Sequence, residues 1–147
     1  MEWAARFSAL VTRYQSTIRG LYYGHTHEEG MALMRSFEDP TVTVGVMLMP
    51  GSLTAYNGRT PGFRIFTVDE ETKLPIDYDQ YRLNVSKWNE VHEGQIEWEI
   101  VYTFLDEYSL EDMSLKSIDA MVDRFVDDND LVNTFQLNIH TGTWKYQ

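Results

Sequence analysis

The chain has no cysteine. Disulfides and thiolate metal sites are therefore excluded, and the redox state of its compartment leaves no mark on the sequence. Positive charge is scarce: 12 Lys and Arg stand against 23 Asp and Glu, for a net charge of −11. A surface of that sign repels phosphate polymers. It argues against nucleic-acid polymers as partners and against electrostatic docking on anionic lipid, while leaving zwitterionic and neutral substrates open. No apolar run approaches the roughly 20 residues of a membrane-crossing helix, so no transmembrane segment is expected. Met1 is followed by Glu2, Trp3 and Arg6 rather than by a basic and then hydrophobic leader, so no signal peptide is expected in this chain. Repeats and low-complexity tracts are also missing. With 147 residues, 43% of them hydrophobic and 14% aromatic, the chain is long and apolar enough to bury a core and fits one domain.

The most informative stretch runs from Ile18 to His27: Ile18, Leu21, Tyr22 and Tyr23 suit a buried strand, which stops at Gly24 and presents His25 and His27 one residue apart. A glycine permits a sharp turn there, after which strand alternation no longer dictates where side chains point. The two imidazoles could then face one cavity, and imidazole is the commonest protein ligand for zinc and related metals. A His-x-His pair alone more often marks a hydrogen-bonded or exposed strand end.

The wider context is more specific. Tyr22-Tyr23-Gly24-His25-Thr26-His27 is followed by Ser52-Leu53-Thr54-Ala55-Tyr56-Asn57-Gly58, then Pro61-Gly62-Phe63-Arg64-Ile65-Phe66, Tyr81-Arg82-Leu83-Asn84-Val85-Ser86, Asn133-Thr134-Phe135 and His140-Thr141-Gly142. In order and spacing these pieces resemble, along nearly the whole chain, the acid sphingomyelinases of the calcineurin-like metallophosphoesterase superfamily. The absence of cysteine departs from that family, which is disulfide-rich.

The resemblance implies an α/β class: the C-terminal part of a metallophosphoesterase α/β/β/α sandwich over residues 1–84, then a helical C-terminal subdomain over 85–147. The pattern of residues agrees in outline. Trp3, Phe7, Leu10, Val11, Tyr14 and Ile18 recur at three- and four-residue steps, predicting a helix from about Glu2 to Ser16. Strands are expected over 31–37, 41–49 with both faces buried, 63–68 and 78–85, with turns at Glu38-Asp39-Pro40 and 69–73. From Gln95 onward helical spacing takes over: Trp98, Val101, Leu105 and Tyr108 share one face, then Leu115, Ile118, Val122 and Phe125, then Leu131, Val132 and Phe135. Asp127 to Asp130 lie where acidic capping residues favour the start of the last helix.

For function, the resemblance implies a phosphodiesterase that cleaves sphingomyelin to ceramide and phosphocholine, with two zinc ions in the full-length enzyme. His25 and His27 would ligate one ion each. The family's Asp-x-His and Asn-His motifs do not occur in this chain, so the bridging carboxylate and the general-acid histidine are absent. The chain is thus expected to be a piece of such an enzyme, inactive alone, with the N-terminal part of the catalytic domain as its missing partner. An acid-sphingomyelinase-like nucleotide phosphodiesterase and a non-catalytic truncated module are the alternatives. Glu28 and Glu29 either buttress an imidazole or are exposed loop carboxylates; His92 and His140 read as structural. Tyr56 stands where the family places a tyrosine near the substrate head group, and its face suits a choline cation, though a core tyrosine fits the sequence as well. Asn84-Val85-Ser86 is an N-glycosylation acceptor coinciding with a family sequon, consistent with a secreted or lysosomal parent protein.

Overall fold

The computed structural model describes residues 2–55, 59–90, 94 and 97–140, and among these five helices accompany six strands arranged in two small sheets. Helix α1 (Glu2–Arg13) leads into β1 (Leu21–Tyr22), β2 (Gly30–Arg35) and β3 (Thr43–Met49). The β-branched, apolar β3 is the middle strand, parallel to β1 and antiparallel to β2. Its register sets Leu48 opposite Met31 and Val46 opposite Leu33 on the face that meets the C-terminal core. The other face carries Gly45 beneath α1: a Cβ there would lie 3.2 Å from Leu21 Cδ1 and 4.0 Å from Val11 Cγ1. Glycine leaves room there for the Leu21 side chain of the neighbouring strand. Val44, Leu48 and Val11 are buried, so both faces of β3 are covered at its centre as expected.

Three further strands, β4 (Gly62–Val68), β5 (Pro75–Arg82) and β6 (Glu99–Thr103), make an antiparallel sheet in that order. The hairpin between β4 and β5 is closed by Asp69, whose carboxylate accepts from the Thr72 N–H and hydroxyl at 2.7 Å each. Pairing places Arg64, Phe66, Tyr78, Gln80 and Tyr102 on one face. Against it pack α3 (Phe104–Glu107), α4 (Leu115–Arg124) and α5 (Asn129–Ile139), with Tyr78, Tyr102, Phe104, Tyr108, Ile118, Met121 and Leu131 as the buried cluster. Met31, Leu33 and Val46 of the first sheet pack on the same cluster, which makes it the common core. Helix α4 is capped by the Ser114 hydroxyl and α5 by the Asp128 carboxylate, the latter in the acidic run expected to start the last helix.

The structure corrects three sequence expectations. Residues 98–108 do not form one helix: Glu99-Ile100-Val101-Tyr102-Thr103 is β-branched and aromatic and takes the edge of β5, and only Phe104–Glu107 is helical, so the segment after residue 84 contributes a strand as well as helices. The last strand before it stops at Arg82 instead of Val85, because the Asn84 carboxamide oxygen accepts from Lys87 N–H at 3.1 Å and starts the short helix α2 (Val85–Glu90). The expected strand over 18–23 is only the two-residue β1, with Tyr22 and Tyr23 exposed, so it is an edge and not a buried strand.

Helix α1 has the predicted periodicity, yet of its apolar stripe only Val11 is buried; Trp3 is 79% and Leu10 51% exposed, and Phe7 and Tyr14 are exposed beside them. An unpaired apolar stripe next to a two-residue edge strand favours association despite the net negative charge. In size-exclusion chromatography with light scattering the chain should run above its 17.2 kDa monomer mass, and Trp3→Lys with Leu10→Lys should shift it toward monomer. A wild-type chain that stays monomeric at high concentration would contradict this.

Candidate functional site

The loop from Tyr23 to Glu29 links β1 to β2 and is pinned at both ends. Tyr23 N–H donates to Leu48 O at 3.0 Å, and Glu29 N–H donates to Ile139 O of α5 at 3.1 Å. Between these posts the backbone turns at the histidines themselves: His25 has φ 83° and His27 φ 61°. Gly24 was the expected hinge, but its φ is not positive and a Cβ there would meet nothing within 4 Å. Histidine tolerates the left-handed region better than most residues, at a cost of roughly 1–2 kcal/mol each. Such strain persists only where the surroundings over-determine it.

The fixing groups follow immediately. Glu28 forms an ion pair with Arg59. Glu29 does not lie exposed in the loop: its side chain is 2% exposed and its Oε2 meets Arg64 Nη2, itself 3% exposed, at 3.0 Å. The Tyr102 hydroxyl donates to the same Oε2 at 2.6 Å. Arg64 also donates from Nε to Gln80 Oε1 at 2.7 Å, and its guanidinium lies 4.4 Å from the centre of the Tyr78 ring. Gln80 in turn donates to the carbonyls of Phe63 and Tyr81. The pair thus joins the histidine loop of the first sheet to all three strands of the second.

Electrostatics follow from burial. Desolvation opposes the Arg64 charge, but Tyr78, Tyr102 and Glu29 around it more than compensate and hold the guanidinium protonated. Burial pushes the Tyr78 hydroxyl up to about 12, and burial likewise raises Tyr102 and Tyr108 well above their ordinary value.

The structure places His25 exposed and His27 half-buried in one loop. It adds no third ligand: among the described residues no group of three or more His, Asp or Glu is arranged to hold a metal. A cavity of about 670 Å³ lies elsewhere, between Leu21, Val44 and Leu48 of the first sheet, Ile76, and Leu115 and Ile118 of α4, and neither histidine lines it.

No family model matches the chain. It is 26% identical to sphingomyelin phosphodiesterase A of Dictyostelium discoideum over 143 residues, covering 97% of this chain and 24% of that protein. With the sphingomyelin phosphodiesterase of Homo sapiens it shares 25% identity over 144 residues, 95% of this chain and 23% of the relative. The chain is acid-sphingomyelinase-like. A cyclic GMP-AMP phosphodiesterase of Mus musculus is also similar, 30% identical over 119 residues, covering 77% of this chain and 26% of the relative. The chain spans about a quarter of the length of the curated relatives it matches.

Other residues singled out in this acid-sphingomyelinase-like sequence fall differently. Asn84 is half-buried and caps α2. His140 closes α5, its backbone N–H donating to Leu137 O at 3.2 Å. Tyr56 and His92 lie outside the described residues. The Arg64–Glu29 pair was missed in the sequence, although one signal for it existed: Arg64 and Gln80 are polar residues on the strand face that also carries Phe66, Tyr78 and Tyr102.

Because the Tyr78, Tyr102 and Tyr108 hydroxyls titrate higher folded than unfolded, they stabilise the fold fully below about pH 10 and progressively less as pH rises toward about 12. In an alkaline titration these three rings should ionise together with loss of the circular-dichroism signal. Reversible ionisation of every tyrosine near pH 10 with the fold intact would contradict this.

Proposed function

We propose that the chain is a segment of a metal-dependent phosphodiesterase that hydrolyses sphingomyelin to ceramide and phosphocholine, in which His25 and His27 supply the last two metal ligands. The observation that carries this reading is the left-handed loop: two histidines in strained backbone, anchored by a buried carboxylate, in a sequence that matches sphingomyelin phosphodiesterases over 95–97% of its length. Neutral imidazoles suit zinc. Two of them do not make a dinuclear centre, and Glu29 is engaged by Arg64 and Tyr102. The donors described here therefore do not fit the whole metal group, and no hydrolytic step follows from them alone. The remaining ligands would come from a further part of the catalytic domain.

A second reading has its own support. The cyclic GMP-AMP phosphodiesterase of Mus musculus has the higher identity, 30%, over a shorter span, so a nucleotide phosphodiester is the alternative substrate. A secreted or lysosomal parent protein glycosylated at Asn84 belongs to the same proposal. The α2 cap uses the Asn84 Oδ1, not the amide nitrogen that a glycan would occupy.

Zinc titration by calorimetry tests the ligand set. The chain alone should bind at most one ion, weakly, with loss of binding in His25→Ala and His27→Ala, and should not turn over sphingomyelin. Stoichiometric micromolar binding of two ions, or turnover abolished by His25→Ala, would overturn the reading of this chain as an incomplete segment.

Tyr56 is proposed to stack on the choline group. In a full-length enzyme Tyr56→Ala should slow choline-lipid turnover several-fold to about thirtyfold, the range expected for a cation–π contact of about 0.5–2 kcal/mol. A nitrophenyl phosphodiester without the cation should be affected much less. Equal losses on both substrates with a lowered melting temperature would identify a core tyrosine.

A further inference from the structure

We propose that Arg64 is a positioning residue for the histidine pair, acting through Glu29, so that the second sheet sets the orientation of the loop that carries His25 and His27. The inference deepens the function proposed above and rests on its reading of the two histidines as ligands.

Three observations converge. The loop contains two non-glycine residues in the left-handed region, at positions 25 and 27, a conformation that relaxes unless it is held. The side chain that can hold it from the core is Glu29, two residues beyond His27, whose carboxylate is almost wholly withdrawn from solvent. Its partners, Arg64 of β4 and Tyr102 of β6, come from the second sheet and lie 35 and 73 residues away in sequence.

Arg64 is fixed in turn. Gln80 takes its Nε, and Gln80 is itself tied to two backbone carbonyls; the Tyr78 ring covers the guanidinium plane. A guanidinium held on several sides cannot follow a drifting carboxylate, so the carboxylate, and the backbone two residues after His27, must stay with it. Glu28 with Arg59 adds a second tether of the same kind. Glu29 N–H, bonded to Ile139 O, marks where the loop ends and β2 begins.

Hydrogen exchange on the full chain tests this without any metal or substrate. The readout is the ratio of exchange rates of the 25–29 amides to those of β5, which reports loop order separately from global stability. The ratio should rise about tenfold in Arg64→Met and stay raised in the apolar pair Glu29→Leu with Arg64→Met, even where that pair recovers β5 protection. Arg64→Lys should restore part of it. Tyr102→Phe keeps the ring and deletes one hydrogen bond to Glu29, so it remains decisive if the harsher variants do not fold; the ratio should rise several-fold. A ratio unchanged in the variants that fold would overturn the proposal, since loop and β5 would then share one structural response. Zinc titration of the same variants separates the two readings: a raised ratio in a chain that binds no zinc upholds the positioning role and removes the ligand assignment.

Discussion

The structure depends on one buried ion pair. Arg64 and Glu29 are charges almost fully removed from water, and taking either from solvent costs several kcal/mol before any attraction is counted. What offsets that cost is geometry: Tyr102 and Arg64 donate to the carboxylate, Gln80 accepts from the guanidinium Nε, and the Tyr78 face covers the guanidinium plane. A pair of this kind contributes little net stability against an apolar equivalent, but breaking it by removing one partner typically costs about 3–5 kcal/mol. Its value here lies in arrangement. It fixes which part of the first sheet sits against which part of the second.

The aromatic core follows from the same constraint. Tyr78, Tyr102 and Tyr108 form a chain of edge and stacked contacts with Phe104, Phe66 and Phe135 around the pair. Tyrosine is well suited to that position because its ring fills the core while its hydroxyl reaches a polar partner. Tyr102 serves Glu29 in this way, and the Tyr108 hydroxyl accepts from Asn138 at 3.1 Å. Through Ile139 and Asn138, α5 therefore touches both the loop end and the aromatic chain.

Much of this was legible in the sequence where a local pattern determines the outcome. The strands β2, β3 and β4, the Asp69 hairpin, helix α4, and helix α5 with its acidic cap all stand close to where alternation, periodicity and capping residues place them. Residues 98–108 misled because Trp98, Val101, Leu105 and Tyr108 satisfy helical spacing, while pairing with β5 decides the conformation of the first half. Gly24 misled for a related reason: glycine marks where a turn is permitted, and the turn formed one residue later, in histidines held by tertiary contacts. Which glutamate joins Arg64 was beyond local reading, since Glu28 and Glu29 look alike in sequence and only the fold sends one to Arg59 and the other into the core.

The central claim, that Glu29 and Arg64 act as one unit, is tested most directly by a double-mutant cycle read by urea unfolding. Glu29→Gln and Arg64→Met should each lose about 3–5 kcal/mol, and the double variant should lose less than their sum by about 2–3 kcal/mol. Losses that simply add would contradict the account.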